Sequence, residues 1–341
     1  MSYTGHLLYI DITQICGIGC SFCMYADSHR SVASMALSEQ ARENMRALIN
    51  EPAVKRISIS GEGEPLNNIA TFHEILGLSS GGKTFEFITS GFLPHDKLVA
   101  FYEQTNAILF AKGDTCNIRL SSDSYHIEKV RHKAHGFSVQ YKLKQLPTSL
   151  TFSFRSVDTD KEFTRNFLLD QFASQGIGAR IAEMSQLRDD LVAASETFGI
   201  EYKNHVHPRN LPDGSYLDFY GYIAAIEARY GKRFTLGSMN KAPACNGMDV
   251  TIKPNGAVHF YGAETVLLGN IHNDTFSWDE LQSMLGKNPL LECLYAKPLV
   301  DLLAKIEDEP WAQAAISRAN NPYWLIKELS LSPNLLKQLV A

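Results

Sequence analysis

The sequence predicts an α/β fold, a partial six-unit (β/α) barrel of TIM-like type followed by a small α+β C-terminal extension. Three observations predict it. Up to about residue 205, short β-rich runs alternate with segments of helical period, the rhythm of βα units on a parallel sheet. The residues of unusual chemistry fall just after those runs, where the loops of a parallel sheet gather to form a site. Beyond residue 206 the rhythm stops, and the chain reads as a hairpin among helices.

The six runs lie at residues 7–13, 54–60, 84–90, 117–122, 149–155 and 178–184. Six units suit an open or partial barrel better than a closed eight-stranded one. Helical segments separate them, as at residues 38–49, where Ala41, Met45, Leu48 and Ile49 recur on one face. The extension opens with a Pro- and Gly-containing stretch at 207–215, then a helix near 216–230. A hairpin follows: Val250 to Lys253 and Val258 to Tyr261 are joined by Pro254-Asn255-Gly256, in which Asn-Gly supplies the positive φ of a tight turn. Ser277 and Glu280 have the spacing of a capping box at the start of a helix over 278–285, and the last forty residues are mainly helical in pattern. The predicted domains are therefore residues 1–205 and 206–341.

With 341 residues, a formal charge of −5 and acids and bases mixed along the chain, there is no basic surface to recommend nucleic acid or an anionic membrane as partner. No stretch approaches the roughly 18 to 20 uninterrupted apolar residues of a membrane helix. The first residues lack the order of a signal peptide, so the expected location is the cytoplasm. Six cysteines are too few and too unevenly placed for a disulfide scaffold. In a reducing compartment, clustered cysteines point to metal or redox chemistry.

Cys16-Gly-Ile-Gly-Cys20-Ser-Phe-Cys23 puts three thiolates on one tight loop, with glycines that let the backbone wrap around a bulky inorganic ligand. Three ligands leave one iron of a four-iron cluster open. A zinc site or reactive thiols are the alternatives, but zinc normally wants a fourth protein ligand and no nearby histidine is well spaced for it. With Phe22 just before the last cysteine and a β-run before the first, the C-x3-C-x2-C spacing resembles the signature of the radical S-adenosylmethionine (radical SAM) superfamily. That resemblance implies a partial barrel of the radical SAM type and one 4Fe-4S cluster on Cys16, Cys20 and Cys23. The open iron would bind S-adenosyl-L-methionine (AdoMet), and reductive cleavage of AdoMet would give a 5′-deoxyadenosyl radical that takes hydrogen from an unactivated carbon. An external one-electron donor such as flavodoxin or ferredoxin is implied as well.

The resemblance assigns further residues to cofactor binding. Phe22 belongs to the cluster loop. Gly61, Glu62, Gly63 and Glu64, after the second run, resemble the family's glycine-rich AdoMet-binding segment, although alone they read as an ordinary strand-to-helix turn. Ser122 and Asp123 resemble the polar end of the family's fourth strand, and alone they read as a helix cap. Arg155 and Glu183 end the fifth and sixth runs and join the set by position only, since the fifth run lacks the family's usual glycine-containing pattern.

The segment from Cys245 to Tyr261, with Leu268-Gly269-Asn270-Ile271 after it, resembles the SPASM and twitch extensions that carry auxiliary clusters in relatives. Here Tyr261 stands where relatives commonly have a cysteine, and only Cys293 follows Cys245. Two thiolates can hardly hold an auxiliary cluster, so the extension is expected to be degenerate and cluster-free. Without such an electron acceptor, redox-neutral or reductive outcomes fit best. Cys245 is then the candidate catalytic residue, donating hydrogen from its thiol to a substrate radical and inverting a carbon centre, as in radical SAM epimerases. A small buried hydrophobe, or a relic of a lost cluster, is its plainer role.

The expected substrate is a small polar molecule of sugar, aminoglycoside or nucleoside type. The cluster loop begins at residue 16, which leaves no room before it for a leader-binding domain and argues against a peptide. Decarboxylation, elimination, dehydrogenation, carbon–carbon bond formation and peptide modification are the alternative reactions. A non-catalytic cluster-binding protein is the alternative of another class. His132 and His135 read as solvated surface, His205 and His207 as polar residues of a strand edge, and Cys116 as core.

Overall fold

The computed structural model describes residues 5–20, 23, 33–145, 147–203, 218–238, 246–318, 322–329 and 332–340. Phe22, His205, His207 and Cys245 lie outside the described residues. The chain runs β1 (His6–Asp11), α1 (Glu39–Asn50), β2 (Val54–Ser60), α2 (Ile69–Gly77), β3 (Thr84–Thr89), α3 (His95–Lys112) and β4 (Thr115–Ser121). It continues through α4 (Ser124–Ile127), α5 (His135–Lys144), β5 (Leu150–Val157), α6 (Lys161–Ser174), β6 (Ala179–Ser185), β7 (Arg188–Ala193) and β8 (Glu196–Lys203). The last third holds α7 (Phe219–Tyr230), β9 (Val250–Ile252), β10 (Ala257–Phe260), β11 (Gly269–Asn270), α8 (Trp278–Lys287), α9 (Pro289–Ala296), α10 (Leu299–Leu303), α11 (Pro310–Arg318), α12 (Pro322–Leu329) and α13 (Pro333–Val340).

Two compact units form, one from residues 10–36 and 57–203, the other from residues 1–9, 37–56 and 204–341. In the first unit β2, β3, β4, β5 and β8 pair in parallel in that order. β1 runs beside β2 in the same direction, with His6 N–H bonded to Ala53 O at 2.8 Å and Ile12 N–H to Ser60 O at 2.9 Å. Six parallel strands are thus present, as the sequence predicts, and the row stays open among the described residues.

The sixth strand is not the predicted one. The run at 178–184 is β6, the outer strand of an antiparallel meander β6-β7-β8, and β8 is the strand that pairs in parallel with β5. The β7–β8 turn explains why this meander is hard to see in the sequence. Ala193 pairs with Glu196, so the loop is Ala194-Ser195, and Ala194 takes a φ of +53° that glycine or asparagine would ordinarily signal.

Alternation on the parallel strands separates two faces. Phe85 and Phe87 of β3, Ile118 and Leu120 of β4, Phe152 and Phe154 of β5, and Phe198 and Ile200 of β8 are buried. This is the helix side: Phe87 packs 4.3 Å from Phe72 of α2 and 5.3 Å from Phe101 of α3, and Phe198 lies 5.9 Å from Phe172 of α6, by ring centroids. Cys116 is fully buried on β4 and belongs to this core, as expected. Residues of the opposite parity, Ser58, Glu86, Arg119, Arg155 and Glu201, mark the polar face.

The second unit is tied together by polar side chains inside an apolar core. Asn44, on the buried face of α1 beside Met45 and Leu48, donates to Ile271 O at 2.8 Å and Asp274 O at 2.7 Å and accepts from Phe276 N–H at 3.0 Å. His6 stacks on Trp278 at 4.3 Å, and the Trp278 indole donates to Leu48 O at 3.1 Å. The capping box of Ser277 and Glu280 forms at the start of α8. The β9–β10 hairpin forms too, but the positive φ falls on Gly256 alone, at +84°, and not on Asn255. The turn is closed by Gly256 N–H to Lys253 O at 2.8 Å, which puts Pro254 at the position whose φ it presets.

Ala194→Gly should stabilise the protein by up to about 1 kcal/mol, because the left-handed backbone costs alanine roughly that much. A rise in the urea midpoint at unchanged slope checks it.

Candidate functional site

The site is built in the first unit, where the chain leaves β1. Residues 12–15 continue alongside the segment after β2: Gly63 N–H donates to Thr13 O at 2.9 Å and Glu64 N–H to Ile15 O at 2.9 Å. Asn67 Nδ2 donates to Ile15 O at 3.0 Å, and Asn68 Nδ2 to Ile12 O at 2.9 Å and Met35 O at 3.0 Å. The glycines are needed for this approach. A Cβ on Gly63 would stand 2.4 Å from Ile15 O, and one on Gly61 would stand 2.7 Å from Thr13 O. Their absent side chains make room for the protein's own backbone, a partner that the strand-to-helix reading does not reveal.

Glu64 fixes the same segment from the other side. Its buried carboxylate accepts from Leu66 N–H at 3.1 Å, Thr89 Oγ1 at 2.5 Å, Ser90 N–H at 2.8 Å and Ser90 Oγ at 2.6 Å. Four donors occupy both oxygens, so this carboxylate binds the end of β3. Glu62 instead accepts from Gln14 Nε2 at 2.8 Å.

Cys16, Cys20 and Cys23 are free thiols of intermediate exposure on the loop so anchored. Cys23 N–H donates to Cys20 O at 3.2 Å, which keeps this part of the loop tight. Gly17 and Gly19 have no neighbour within 4 Å of a Cβ position, so the turn between the first two cysteines stands in open space. Burial pushes the Cys16 thiol up, against the hydrogen bonds of Ile18 and Gly19 N–H, and Glu64 and Cys20 add to the rise. An unaided reactive thiol would be shifted the other way.

Cationic groups from the ends of other strands meet these sulfurs. Asp123 caps α4, accepting from His126 N–H at 3.1 Å, and also bonds His126 Nδ1 at 2.8 and 2.9 Å. Burial works against a charged His126, but Asp123, and Cys20 through a hydrogen bond, lift it to about 10. Burial raises the Asp123 carboxyl, yet His126 and Lys203 bring it net below its ordinary value. Lys203, at the end of β8, is lowered by burial and by Arg155, while Asp123, Cys23 and Cys20 draw it up. His126 and Lys203 therefore bring positive charge to Cys20 and Cys23, a setting that suits an anionic cluster.

Of the residues picked out in the sequence, Cys16, Cys20, Cys23, Gly61 to Glu64, Asp123 and Arg155 belong to connected parts of this unit. Ser122 is fully buried, with its hydroxyl donated to Leu120 O at 3.0 Å. Glu183 stands apart from the group. Its strand is the antiparallel outer one, and its side chain is 73% exposed and paired with Arg165 at 2.9 Å. His135 is corrected too: it is fully buried, bonded through Nε2 to Ser121 O at 3.0 Å and packed edge-on against Phe167. His126, Lys203, Glu201, Arg119 and Glu86 are the residues that reading the sequence missed. The signal for the last two was a lone charge inside an otherwise uncharged strand.

Among the described residues, no three His, Cys, Asp or Glu side chains converge closely enough to hold a metal ion. The donor set itself fits a cluster: three free thiols, one loop with open glycines, and cationic neighbours. Among the same residues no helix is long and apolar enough to cross a membrane.

The sequence matches no family model and no curated protein. Solved structures do share its fold. Histidine-tagged anSMEcpe with bound AdoMet aligns with a TM-score of 0.51 at 17% identity over 98% of both chains. Native anSMEcpe with bound AdoMet and Cp18Cys peptide aligns with a TM-score of 0.52 at 15% identity, over 98% of this chain and 99% of that one. The fold is that of the radical SAM enzymes.

Burial holds His135 down at about 4, against an ordinary 6.5. It is neutral when folded and protonates more readily when unfolded, so its contribution is complete above pH 6.5 and is lost as pH falls towards 4, by up to about 3 kcal/mol. His135→Phe should flatten the decline of stability over that range. Urea midpoints of the metal-free protein at pH 7 and pH 4.5 test this, and equal declines for the variant and the parent protein would refute it.

Proposed function

We propose that this chain is a radical SAM enzyme that binds one 4Fe-4S cluster on Cys16, Cys20 and Cys23, with AdoMet beside it, and abstracts hydrogen from a small polar molecule of sugar, aminoglycoside or nucleoside type. The observation that carries the reading is the three-thiol loop, backed by the Gly61 to Glu64 segment and facing His126 and Lys203 at the carboxyl ends of parallel strands. Once reduced by an external donor such as flavodoxin or ferredoxin, the cluster would supply the electron that splits AdoMet and so yields the hydrogen-abstracting radical.

The chain's own groups have distinct tasks. Hydrogen bonds from Gly63 and Glu64 to residues 13 and 15 hold the cysteine loop in place. Phe22 flanks the last ligand, and the backbone of Gly61 and Glu62 borders AdoMet. Asp123 keeps His126 protonated beside Cys20, Ser122 closes the end of β4, and Arg155 offers its guanidinium to the AdoMet carboxylate. Residues 1–205 act as the catalytic barrel and 206–341 as a cluster-free extension that carries Cys245. The favoured outcome is epimerisation, redox-neutral for the substrate: Cys245 would give a hydrogen atom from its thiol to the opposite face of the substrate radical, and the thiyl radical left on sulfur would return to thiol by taking an electron from the external donor and a proton. Peptide modification is the second reading, because a structure of the same fold carries a bound peptide.

Anaerobic reconstitution should give about four irons per chain, and addition of dithionite and AdoMet should give 5′-deoxyadenosine. Replacing Cys16, Cys20 or Cys23 by alanine should abolish both, and well-reconstituted parent protein that forms no 5′-deoxyadenosine would overturn the assignment.

The donor role of Cys245 has its own test. In deuterated water, Cys245→Ala should still cleave AdoMet but should no longer deliver solvent deuterium to the inverted carbon. Product of unchanged stereochemistry and deuterium content would exclude Cys245 as donor.

A further inference from the structure

Four charged side chains are linked across the polar face of β3, β4, β5 and β8, all within the first unit. Glu86 accepts from Ser58 Oγ at 2.8 Å and pairs closely with the Arg119 guanidinium. Arg119 Nη2 also lies 3.5 Å from Glu201 Oε2, and that same oxygen lies 3.9 Å from Arg155 Nη1. Arg155 and Glu201 are direct partners in the β5–β8 register. Exposure is graded along the row. The Arg119 and Glu86 side chains are 6% and 7% exposed, whereas those of Arg155 and Glu201 are 30% and 28% exposed.

The buried half of the row therefore anchors the half that faces the site. Two carboxylates balance two guanidinia, and Glu201 is the carboxylate placed between both cations. Arg155 is held by a long contact only, and among the described residues its guanidinium makes no hydrogen bond, so its fork of N–H groups is available. Arg155 stands at the carboxyl end of β5, where its backbone O accepts from Ser122 N–H at 2.7 Å, next to the Asp123 that holds His126. An oriented guanidinium with free N–H groups is suited to a carboxylate, which it can bind through two parallel hydrogen bonds.

We propose that Glu201 is a positioning residue: held by Arg119, it orients Arg155 to receive the carboxylate of AdoMet. This rests on the radical SAM reading. Without Glu201, two guanidinia face one buried carboxylate, and Arg155 loses the partner that sets its direction. The carboxylate it receives belongs either to AdoMet or to the substrate, and the two can be told apart.

The test is equilibrium binding to the anaerobically reconstituted protein of AdoMet and of decarboxylated AdoMet, which lacks only the carboxylate. Glu201→Gln should weaken AdoMet by about tenfold, the size of effect expected for one charge-assisted contact, and should change decarboxylated AdoMet by less than about twofold. Glu201→Asp, too short to span both guanidinia, should show the same contrast and serves if the glutamine variant does not fold. Equal weakening of both ligands would mean that Glu201 serves only the fold, and would overturn the proposal. Unchanged AdoMet binding would place the carboxylate on another molecule and overturn it as well. A parent protein that binds no AdoMet would bring down the radical SAM reading and this proposal together, whereas the other two outcomes leave that reading standing.

Discussion

The Glu64 carboxylate is the constraint on which the site depends. It is buried and accepts four hydrogen bonds, three of them from Thr89 and Ser90 at the end of β3. Its own N–H reaches back to Ile15. One residue thus joins the exits of three neighbouring strands, β1, β2 and β3. A buried carboxylate is costly unless its lone pairs are met, so this arrangement tolerates few alternatives. The cysteine loop inherits its starting point from that lock, and Gly61 and Gly63 are fixed because nothing larger fits between the two backbones.

Charge is organised on the same principle. On the helix side the strands bury phenylalanine and aliphatic residues, while the opposite face carries ions that alternate in sign along their contacts, from Glu86 to Arg119, Glu201 and Arg155. The Glu86–Arg119 pair does not stand as evidence of net stability, since desolvation offsets much of its attraction. Removing one member would still cost about 3–5 kcal/mol, because the other would be left buried and alone. Rigidity is what the pair contributes: it determines where the more exposed ions lie. Near Cys20 and Cys23 the balance tips to positive through His126 and Lys203, which suits an anionic cluster.

Much of this was legible in the sequence. β2 has the predicted bounds, and β1, β3, β4 and β5 fall within a few residues of theirs, because their apolar runs end in glycine, serine or aspartate. The α1 face of Ala41, Met45, Leu48 and Ile49 and the cap at Ser277 were equally plain, since helical period and capping are local properties. The sixth strand was misplaced because its competitor, β8, follows a turn of Ala194-Ser195 that carries no turn signal. With β6 moved to the outer strand, Glu183 moved to solvent. His135 was misread because a histidine among Arg131, His132 and Lys133 looks solvated, and its burial depends on Phe154 and Phe167, which are distant in sequence. The ion row was unreadable as a row: each member is visible alone, but only the strand order makes them neighbours.

The hydrogen bond from Leu7 N–H to the Asp249 carboxylate spans 242 positions, and the Asn44 and Trp278 contacts span nearly as many. During synthesis, at roughly 5 to 20 residues per second, the first strand and first helix emerge long before the residues that complete their surroundings exist. Closing such long loops is entropically slow, so these early segments wait with apolar surface uncovered. Apolar surface of that kind is aggregation-prone until its partners arrive. Segments that precede their partners by more than two hundred residues are thus among the last to reach their final state.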